Sequence, residues 1–206
     1  MPKRQNFVLI FGPPAVGKFS VGQELALITD YKLLHNHLAI ECTLPLFEFG
    51  TEKFREMVAA IRRQSFFFAS QSDLLGLIFT FVWAFNRPSD YALVSEWCQI
   101  FRKQKWDIYF LELAASLDVR LERNRSPSRL IKKPSKRDLV KSERILLNDE
   151  ATWQLNSSGT ADAFGLANGY ARINNDNLSP RDTAELARSL LRLGSVVDVT
   201  LKPPPS

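Results

Sequence analysis

Short runs of hydrophobic residues alternate along the chain with longer segments in which hydrophobic residues recur every three or four positions. The run from Phe7 to Phe11 is continuously apolar and ends at a glycine, which is typical of a strand buried on both faces of a parallel sheet. Shorter apolar runs predict further strands at 31–34, 77–83, 107–113 and 170–173. The pattern therefore predicts about five strands.

Amphipathic segments follow these strands and carry helix-start signals. Helices are predicted from about Gly17, after a cap at Thr51, across 88–103, after Ser116, from a capping box at Ser135 and Asp138, and after Ser179-Pro180. Strands that alternate with helices form a parallel sheet covered on both faces. We therefore expect a three-layer α/β fold in one domain over 1–201, with a disordered tail at 202–206.

Composition narrows the functional classes. The chain has 206 residues, and no apolar run approaches the roughly 20 residues that span a bilayer, so we expect no membrane partner. A basic start followed by only a short apolar run does not resemble a secretory signal, and Cys42 and Cys98 lack metal or redox spacing; both features favour the cytoplasm. The formal charge of +5 favours an anionic partner, which a nucleotide satisfies as well as nucleic acid does.

A glycine-rich loop lies between the first strand and the first helix. Its residues are Gly12, Pro13, Pro14, Ala15, Val16, Gly17 and Lys18. Glycines let backbone N–H groups point inward around phosphates, and the helix N-terminus adds partial positive charge. Lys18 can then reach the outer phosphates as a point charge. Spacing and context together predict a phosphate loop that binds a nucleoside triphosphate.

The residue after the lysine departs from the usual phosphate loop, in which a Ser or Thr hydroxyl at that position holds Mg²⁺. Phe19 stands there, and Ser20 follows. A phenylalanine ring cannot ligate a metal, so we expect Mg²⁺ to be held through water or through Ser20. Adenylate kinases look similar here, with a small non-hydroxyl residue followed by Thr, so the departure weakens a GTPase or motor-ATPase interpretation more than a kinase one.

From Gly12 to Ser20 the chain resembles the nucleoside monophosphate kinase and shikimate kinase group of P-loop proteins, and most closely a branch described as AAA-family-ATPase-like or shikimate-kinase-like. Weaker similarity extends over most of the chain. The resemblance implies a five-stranded parallel sheet, a mobile lid, and phosphoryl transfer from ATP with Mg²⁺. It also implies that the loop containing Asn175 contacts adenine, although its amides are equally suited to forming a turn.

A basic segment at about 124–137, with the helix before it, is the predicted lid. Eight cations fall within eighteen residues: Arg120, Arg123, Arg125, Arg129, Lys132, Lys133, Lys136 and Arg137. Guanidinium groups that close over a phosphoryl group neutralise its developing charge and exclude water, which predicts Arg123 and Arg125 as catalytic and Arg129 as substrate-binding. The alternatives are a solvated basic surface or contacts to nucleic acid phosphates; the segment lacks the aromatics that stack single strands.

The acceptor site is predicted at the ends of the second and third strands, which face the ligand crevice in an open sheet. His35 and His37, with Asn36 between them, can supply a general base or hydrogen-bond donors. The alternative is a helix start capped by Asn36. After the third strand, Trp83 and Phe85 are predicted as an apolar wall and Arg87 as an anion contact, with core packing as the alternative for the aromatics.

These features favour a kinase that uses ATP and Mg²⁺ to phosphorylate a small molecule. The alternative is a nucleotide-binding regulator or slow NTPase without such an acceptor, because Phe19 replaces the metal-binding hydroxyl and no acidic residue ends the third strand. An RNA-binding module is a third class that rests on net charge alone, and no nucleic acid partner is expected. The sequence names neither the acceptor nor the oligomeric state.

Overall fold

Five parallel strands form the central layer of the protein in the computed structural model, which describes residues 4–125, 138–157 and 165–194. The strands are β1 (Asn6–Phe11), β2 (Lys32–His35), β3 (Gly76–Phe81), β4 (Asp107–Ala114) and β5 (Gly169–Asn174). Their order across the sheet is β2-β3-β1-β4-β5, and every neighbouring pair is parallel. The predicted parallel α/β fold is confirmed.

Seven helices surround the sheet within the described ranges. They are α1 (Lys18–Thr29), α2 (His37–Thr43), α3 (Glu52–Ser70), α4 (Pro88–Lys103), α5 (Leu117–Asn124), α6 (Leu139–Thr152) and α7 (Pro180–Leu191). In this part of the chain, no helix combines the length and the apolar character that crossing a membrane requires. The remainder of the predicted lid, including Arg129, and the predicted tail lie outside the described residues.

The pleat of the sheet sorts its side chains into two cores. Phe7, Leu9 and Phe11 of β1 face α3 and α4, where they join an aromatic core that also contains Trp97 and Phe101. The alternate residues of β1, Val8 and Ile10, pack toward α1 and α7. Because both faces of β1 are buried, its sequence is continuously apolar, and its carboxyl end emerges between the two helical layers.

Side-chain caps set the beginnings of four helices. Thr51, Ser116 and Ser179 accept hydrogen bonds from the first turns of α3, α5 and α7, as their positions in the sequence predict. Asp138 is the N-cap of α6, and its carboxylate accepts from the Lys141 N–H at 3.0 Å, so this helix begins at Leu139. Ser135, the other member of the predicted capping box, lies outside the described residues.

Helix α2 is the element that the hydrophobic pattern did not predict. It spans seven residues and buries only Ala39 and Thr43, so it carries too few apolar positions to show a helical period. It starts where the alternative interpretation of the His35–His37 segment placed a helix, although the Asn36 side chain makes no capping hydrogen bond. The chain therefore turns directly from the end of β2 into α2.

Helix α6 packs antiparallel on α5 through three polar contacts. The Arg120 guanidinium lies 2.7 Å from the Glu150 carboxylate, and the Ser142 hydroxyl donates to Asn124 Oδ1 at 3.0 Å. Arg125 meets Glu143 in a two-pronged ion pair at 3.0–3.1 Å. These contacts hold α6 in a fixed position against α5, which follows β4.

A buried carboxylate holds the segment after α6 to the sheet. Glu112 of β4 is fully buried and accepts hydrogen bonds from Asn156 Nδ2, the Ser157 N–H, the Ser157 hydroxyl and the Tyr170 hydroxyl, at 2.6–2.9 Å. Arg172 Nε lies 3.5 Å from the same carboxylate. Burial, together with Glu112, raises the pKa of Tyr170 to about 12, which keeps its hydroxyl a donor. Both oxygens of Glu112 are therefore used as acceptors.

Replacing Glu112 with glutamine is expected to lower the free energy of unfolding by about 2 kcal/mol, because an NH₂ group would face donors in a buried position. Guanidinium unfolding followed by circular dichroism measures the loss. Glu122→Gln is the control, since Glu122 is an exposed residue on α5 and we expect its substitution to cost less than about 0.5 kcal/mol. Equal stability of the two variants would contradict the role assigned to Glu112.

Candidate active site

Two glycines give the loop between β1 and α1 its shape. Gly12 has φ of 139° and Gly17 has φ of 102°, both in the region that residues with a side chain rarely adopt. A Cβ atom on Gly12 would also lie 2.2 Å from the Leu113 carbonyl oxygen of β4. The loop therefore packs so closely on the neighbouring strand that only glycine fits at position 12.

Lys18 is the first residue of α1, and its side chain turns back over the loop. Its Nζ donates to the Gly12 and Pro13 carbonyl oxygens, each at 2.7 Å. The amides of the first helical turn have no partner within the helix, and the helix dipole makes this end positive. An ammonium group and a helix N-terminus thus converge beside the loop, an arrangement suited to phosphate.

A cavity of about 820 Å³ opens beside the loop. The predicted site residues that line it are Pro14, Ala15, Gly17, Lys18, Phe19, Ser20, His35, Asn36, His37, Arg123 and Asn175. They come from the loop and α1, from the end of β2 and the start of α2, from α5 and from the turn after β5. The fold therefore brings together residues up to about 160 positions apart in the chain, as the carboxyl ends of parallel strands do.

Arg123 and Asn175 fix each other against the loop. Arg123 Nη1 donates to Asn175 Oδ1 at 3.1 Å and to the Val16 carbonyl at 3.3 Å, and Nη2 donates to the Asn175 carbonyl at 2.7 Å. The Asn175 side chain donates to the same Val16 carbonyl at 2.9 Å. The guanidinium charge is therefore held beside the phosphate loop by acceptors on two elements.

Phe19 and His35 pack against each other on the cavity wall. Their ring centroids are 4.8 Å apart and their planes lie at 82°, an edge-to-face contact. His35 ends β2 in register with Thr80 of β3, and the Thr80 hydroxyl oxygen accepts from the Asn36 N–H at 3.2 Å. The imidazole thus stands between the start of α1 and the carboxyl ends of two strands.

Three residues predicted on the acceptor side lie elsewhere. Trp83 is 1% exposed and its ring packs on Phe11 and Phe110 at 5.2 and 5.7 Å, in agreement with the core-packing alternative. Phe85 stacks on Trp83 at 4.9 Å. Arg87 is about half exposed at its side chain, with its guanidinium over the Trp153 ring at 5.5 Å and 3.7 Å from Asp90, whose pKa is raised by burial. The chain turns away from the cavity here because β3 ends at Phe81, two residues before the predicted end.

Two arginines of the predicted lid, Arg123 and Arg125, lie in different surroundings. Arg123 lies at the loop, whereas Arg125 is 61% exposed at its side chain and is paired with Glu143. Arg125 does not line the cavity in the described structure. The two arginines point in different directions because α5 ends between them, at Asn124.

Several cavity residues were not predicted. Helix α6 contributes one face, and Thr80 and Val82 line the cavity at the end of β3; the α6 residues are Lys141, Ser142, Ile145, Leu146 and Asp149. The helical spacing of 141, 145 and 149 places them on one side of α6, but the sequence gives no indication of what that side faces. Thr80 did give a signal, since it is the polar residue in the otherwise apolar segment of β3.

Oxygen ligands for a metal ion are few in the cavity. Among the described lining residues, Asp149 supplies the single carboxylate and Ser20 the hydroxyl nearest the loop in sequence. No group of three His, Cys, Asp or Glu residues that could hold a metal occurs in the described ranges. Mg²⁺ that arrives with ATP keeps several waters and needs only one or two protein carboxylates besides phosphate oxygens, so this donor set fits it.

Comparison with known proteins identifies the fold. No protein-family model and no curated protein sequence matches the chain. A proposed kinase from Chloroflexus aurantiacus has a TM-score of 0.59 at 18% identity, covering 95% of this chain and 100% of its own. An APS kinase from Mycobacterium tuberculosis, solved with AMPPNP and APS, has a TM-score of 0.55 at 16% identity, covering 93% and 99%. A shikimate kinase from Acinetobacter baumannii, solved with shikimate, has a TM-score of 0.53 at 16% identity, covering 92% and 94%. Identities this low establish the fold alone, and the chain has a P-loop kinase-like fold.

Proposed function

We propose that the protein is an ATP-dependent phosphotransferase that moves the terminal phosphoryl group of ATP to a hydroxyl group of a small molecule. One observation carries the proposal: a single cavity joins the Lys18 loop to His35 at the end of β2. Its volume of about 820 Å³ lies high in the range of roughly 300–1,000 Å³ usual for ligand sites, which leaves room beyond the phosphates for a second molecule. The kinase structures of similar fold support the same reaction class.

In this reaction the bond between the γ-phosphorus and the bridging oxygen breaks, and a bond from the acceptor oxygen to that phosphorus forms. The products are ADP and a phosphomonoester, and the acceptor proton passes to His35 or to water. Lys18 holds the outer phosphates, and Arg123 stabilises charge that develops on the transferred group. Mg²⁺, when bound through ATP, Ser20 and Asp149, would neutralise phosphate charge. The roles of His35, His37 and Ser20 are proposals from position and chemistry.

The competing proposal is a nucleotide-binding regulator or slow NTPase. Phe19 in place of a metal-binding hydroxyl favours it, as does β3, which ends at Thr80-Phe81 without an acid. An assay of ADP release with Mg²⁺, over a panel of small hydroxyl compounds, separates the two. Acceptor-dependent ADP release with an equal amount of phosphomonoester, measured by ³¹P NMR, supports the kinase. ATP hydrolysis that no acceptor stimulates supports the regulator, and absence of ATP binding contradicts both.

Replacing Phe19 with serine tests how the metal is held. If Ser20, Asp149 and water suffice, Mg²⁺-dependent ATP affinity should stay the same or rise, because a hydroxyl is added beside Lys18. Calorimetric titration of ATP with and without Mg²⁺ measures the effect. Phe19→Leu is the matched control, since it keeps an apolar side chain without the hydroxyl. Loss of ATP binding in folded Phe19→Ser but not in Phe19→Leu would show that the ring position is needed for packing or for nucleotide contact instead.

A further inference from the structure

Part of the cavity lining outside the phosphate loop consists of apolar side chains. Ile40 of α2 and Leu44, its C-cap residue, line it together with Phe49 from the connection between α2 and α3. Helix α6 contributes Ile145 and Leu146. None of these residues belongs to the phosphate loop or to the Arg123–Asn175 pair, so they are available to contact a second molecule.

Phe49 differs from the other members of this wall because it is exposed. The residue is 70% exposed, although its ring centroid lies 5.1 Å from that of Phe54 on α3. Exposing the apolar surface of an aromatic ring to water is unfavourable. A ligand that covers such a ring at the edge of a cavity therefore gains binding free energy. Phe68, at the other end of α3, is similarly exposed at 68% but does not line the cavity, so exposure alone does not distinguish Phe49.

A buried polar atom of Asn36 also belongs to the cavity lining. The Asn36 side chain lines the cavity, and its Oδ1 is buried and accepts no hydrogen bond from any described residue. The Asn36 N–H is already bonded to Thr80, so the backbone of this residue is fixed while the side-chain acceptor is available. A buried acceptor without a partner costs about 1–3 kcal/mol, which a ligand O–H or N–H would offset.

We propose that the acceptor is a hydroxyl compound with an apolar body, a ring or an alkyl group, rather than a polyol or sugar. The apolar body lies against Ile40, Leu44 and Phe49 on one side and α6 on the other. A donor group on the ligand bonds to Asn36 Oδ1, and the reacting hydroxyl lies on the His35 side, toward Lys18. This substrate class rests on the proposed phosphotransferase function, and its site replaces the predicted apolar wall of Trp83 and Phe85 and the predicted anion contact of Arg87.

Binding of a simple probe tests the proposal without requiring turnover. The probe is 2-naphthalenemethanol, titrated by ligand-observed NMR in the presence of a saturating non-hydrolysable ATP analogue with Mg²⁺; myo-inositol is the comparison, with hydroxyls but no apolar body. We expect the naphthyl alcohol to bind and myo-inositol not to bind. Phe49→Ser should weaken the naphthyl alcohol about fivefold or more, in the range of a lost aromatic contact, whereas Phe68→Ser should change it less than about twofold.

Three results would contradict the proposed acceptor class. Stronger binding of myo-inositol, equal effects of the two phenylalanine variants, or displacement of the naphthyl alcohol by the ATP analogue would overturn the apolar acceptor site. Leu44→Asn is a second variant in the same apolar lining. Retained ATP affinity confirms that each of these variants is folded. If the wild-type protein fails to bind ATP, the proposed function fails instead, and the probe titration without nucleotide still decides whether the apolar site exists.

Discussion

Replacing Lys18 with methionine is expected to weaken ATP binding about a hundredfold. The substitution keeps the length and the apolar part of the side chain and removes the charge. A charge-assisted contact to a phosphate in a partly enclosed site contributes about 2–3 kcal/mol, and 1.4 kcal/mol corresponds to a factor of ten in affinity. The ammonium group already lies at the loop, 2.7 Å from two of its carbonyl oxygens, so ATP gains it without a large rearrangement.

Calorimetric titration of ATP against both proteins measures the effect. Lys32→Met is the matched control, because Lys32 is an exposed lysine at the start of β2, at the opposite end of that strand from His35. We expect the control to bind ATP within about twofold of the wild-type protein. Unchanged affinity in a folded Lys18→Met variant would contradict the assignment of the phosphate loop.

The elements that were predicted well are those with local signals. β1 is apolar on both faces and is followed at once by Gly12, so strand, turn and helix start all lie within a dozen residues. Caps at Thr51, Ser116 and Ser179 likewise act over three positions. Because these preferences are set by neighbouring residues, the sequence alone determines where the elements begin.

The acceptor side was harder to predict, and β3 shows why. All six residues from Gly76 to Phe81 are buried, so the strand has no polar alternation to show which side chains point toward the cavity. Trp83 follows in the same apolar run but enters the aromatic core, while Thr80 inside the strand lines the cavity. Where a strand ends within an apolar run depends on packing against distant elements.

Contacts across long stretches of chain determine the rest of the site. Helix α6 lines the cavity because two sets of contacts fix its position. Glu112 binds the segment after α6, and α5 binds one face of α6, through partners 18 to 45 residues apart in the sequence. The Arg123 contact with Val16 joins positions 107 residues apart. A single sequence indicates that Arg123 and Arg125 are cationic, but only the fold shows that one lies at the loop and the other in a surface ion pair.

Replacing Arg123 with alanine is expected to lower the turnover rate of phosphoryl transfer about a hundredfold or more, with a smaller effect on ATP affinity. Guanidinium groups fixed beside the transferred phosphoryl group stabilise charge that is greatest in the transition state. Arg123 is held there by Val16 and Asn175, so its charge is oriented before the reaction begins. Arg125→Ala removes a neighbouring cation whose ion pair is exposed, and we expect at most about a twofold change.

Turnover at saturating ATP and a separate measurement of ATP affinity, each for both arginine variants, give the comparison. The assay uses an acceptor identified by the ADP-release screen, or basal hydrolysis where no acceptor is found. Arg123→Lys adds information because it keeps a positive charge but cannot reproduce the forked contacts to Asn175. Partial recovery of turnover in that variant indicates that charge at this position matters.

Asn175→Ala separates the charge of Arg123 from its role in holding the loop. This variant removes the side-chain amide contacts to Arg123 and Val16. The Arg123 guanidinium stays in place and can still donate to the backbone carbonyls of residue 175 and Val16. If Arg123 acts through its charge, Arg123→Ala should lose far more turnover than Asn175→Ala does. If both variants lose ATP affinity together and turnover at saturation is unchanged, Arg123 braces the loop and does not act on the transferred group. Full turnover in Arg123→Ala would thus favour the nucleotide-binding regulator, because a regulator needs the loop held in shape but needs no stabiliser for a transferred phosphoryl group.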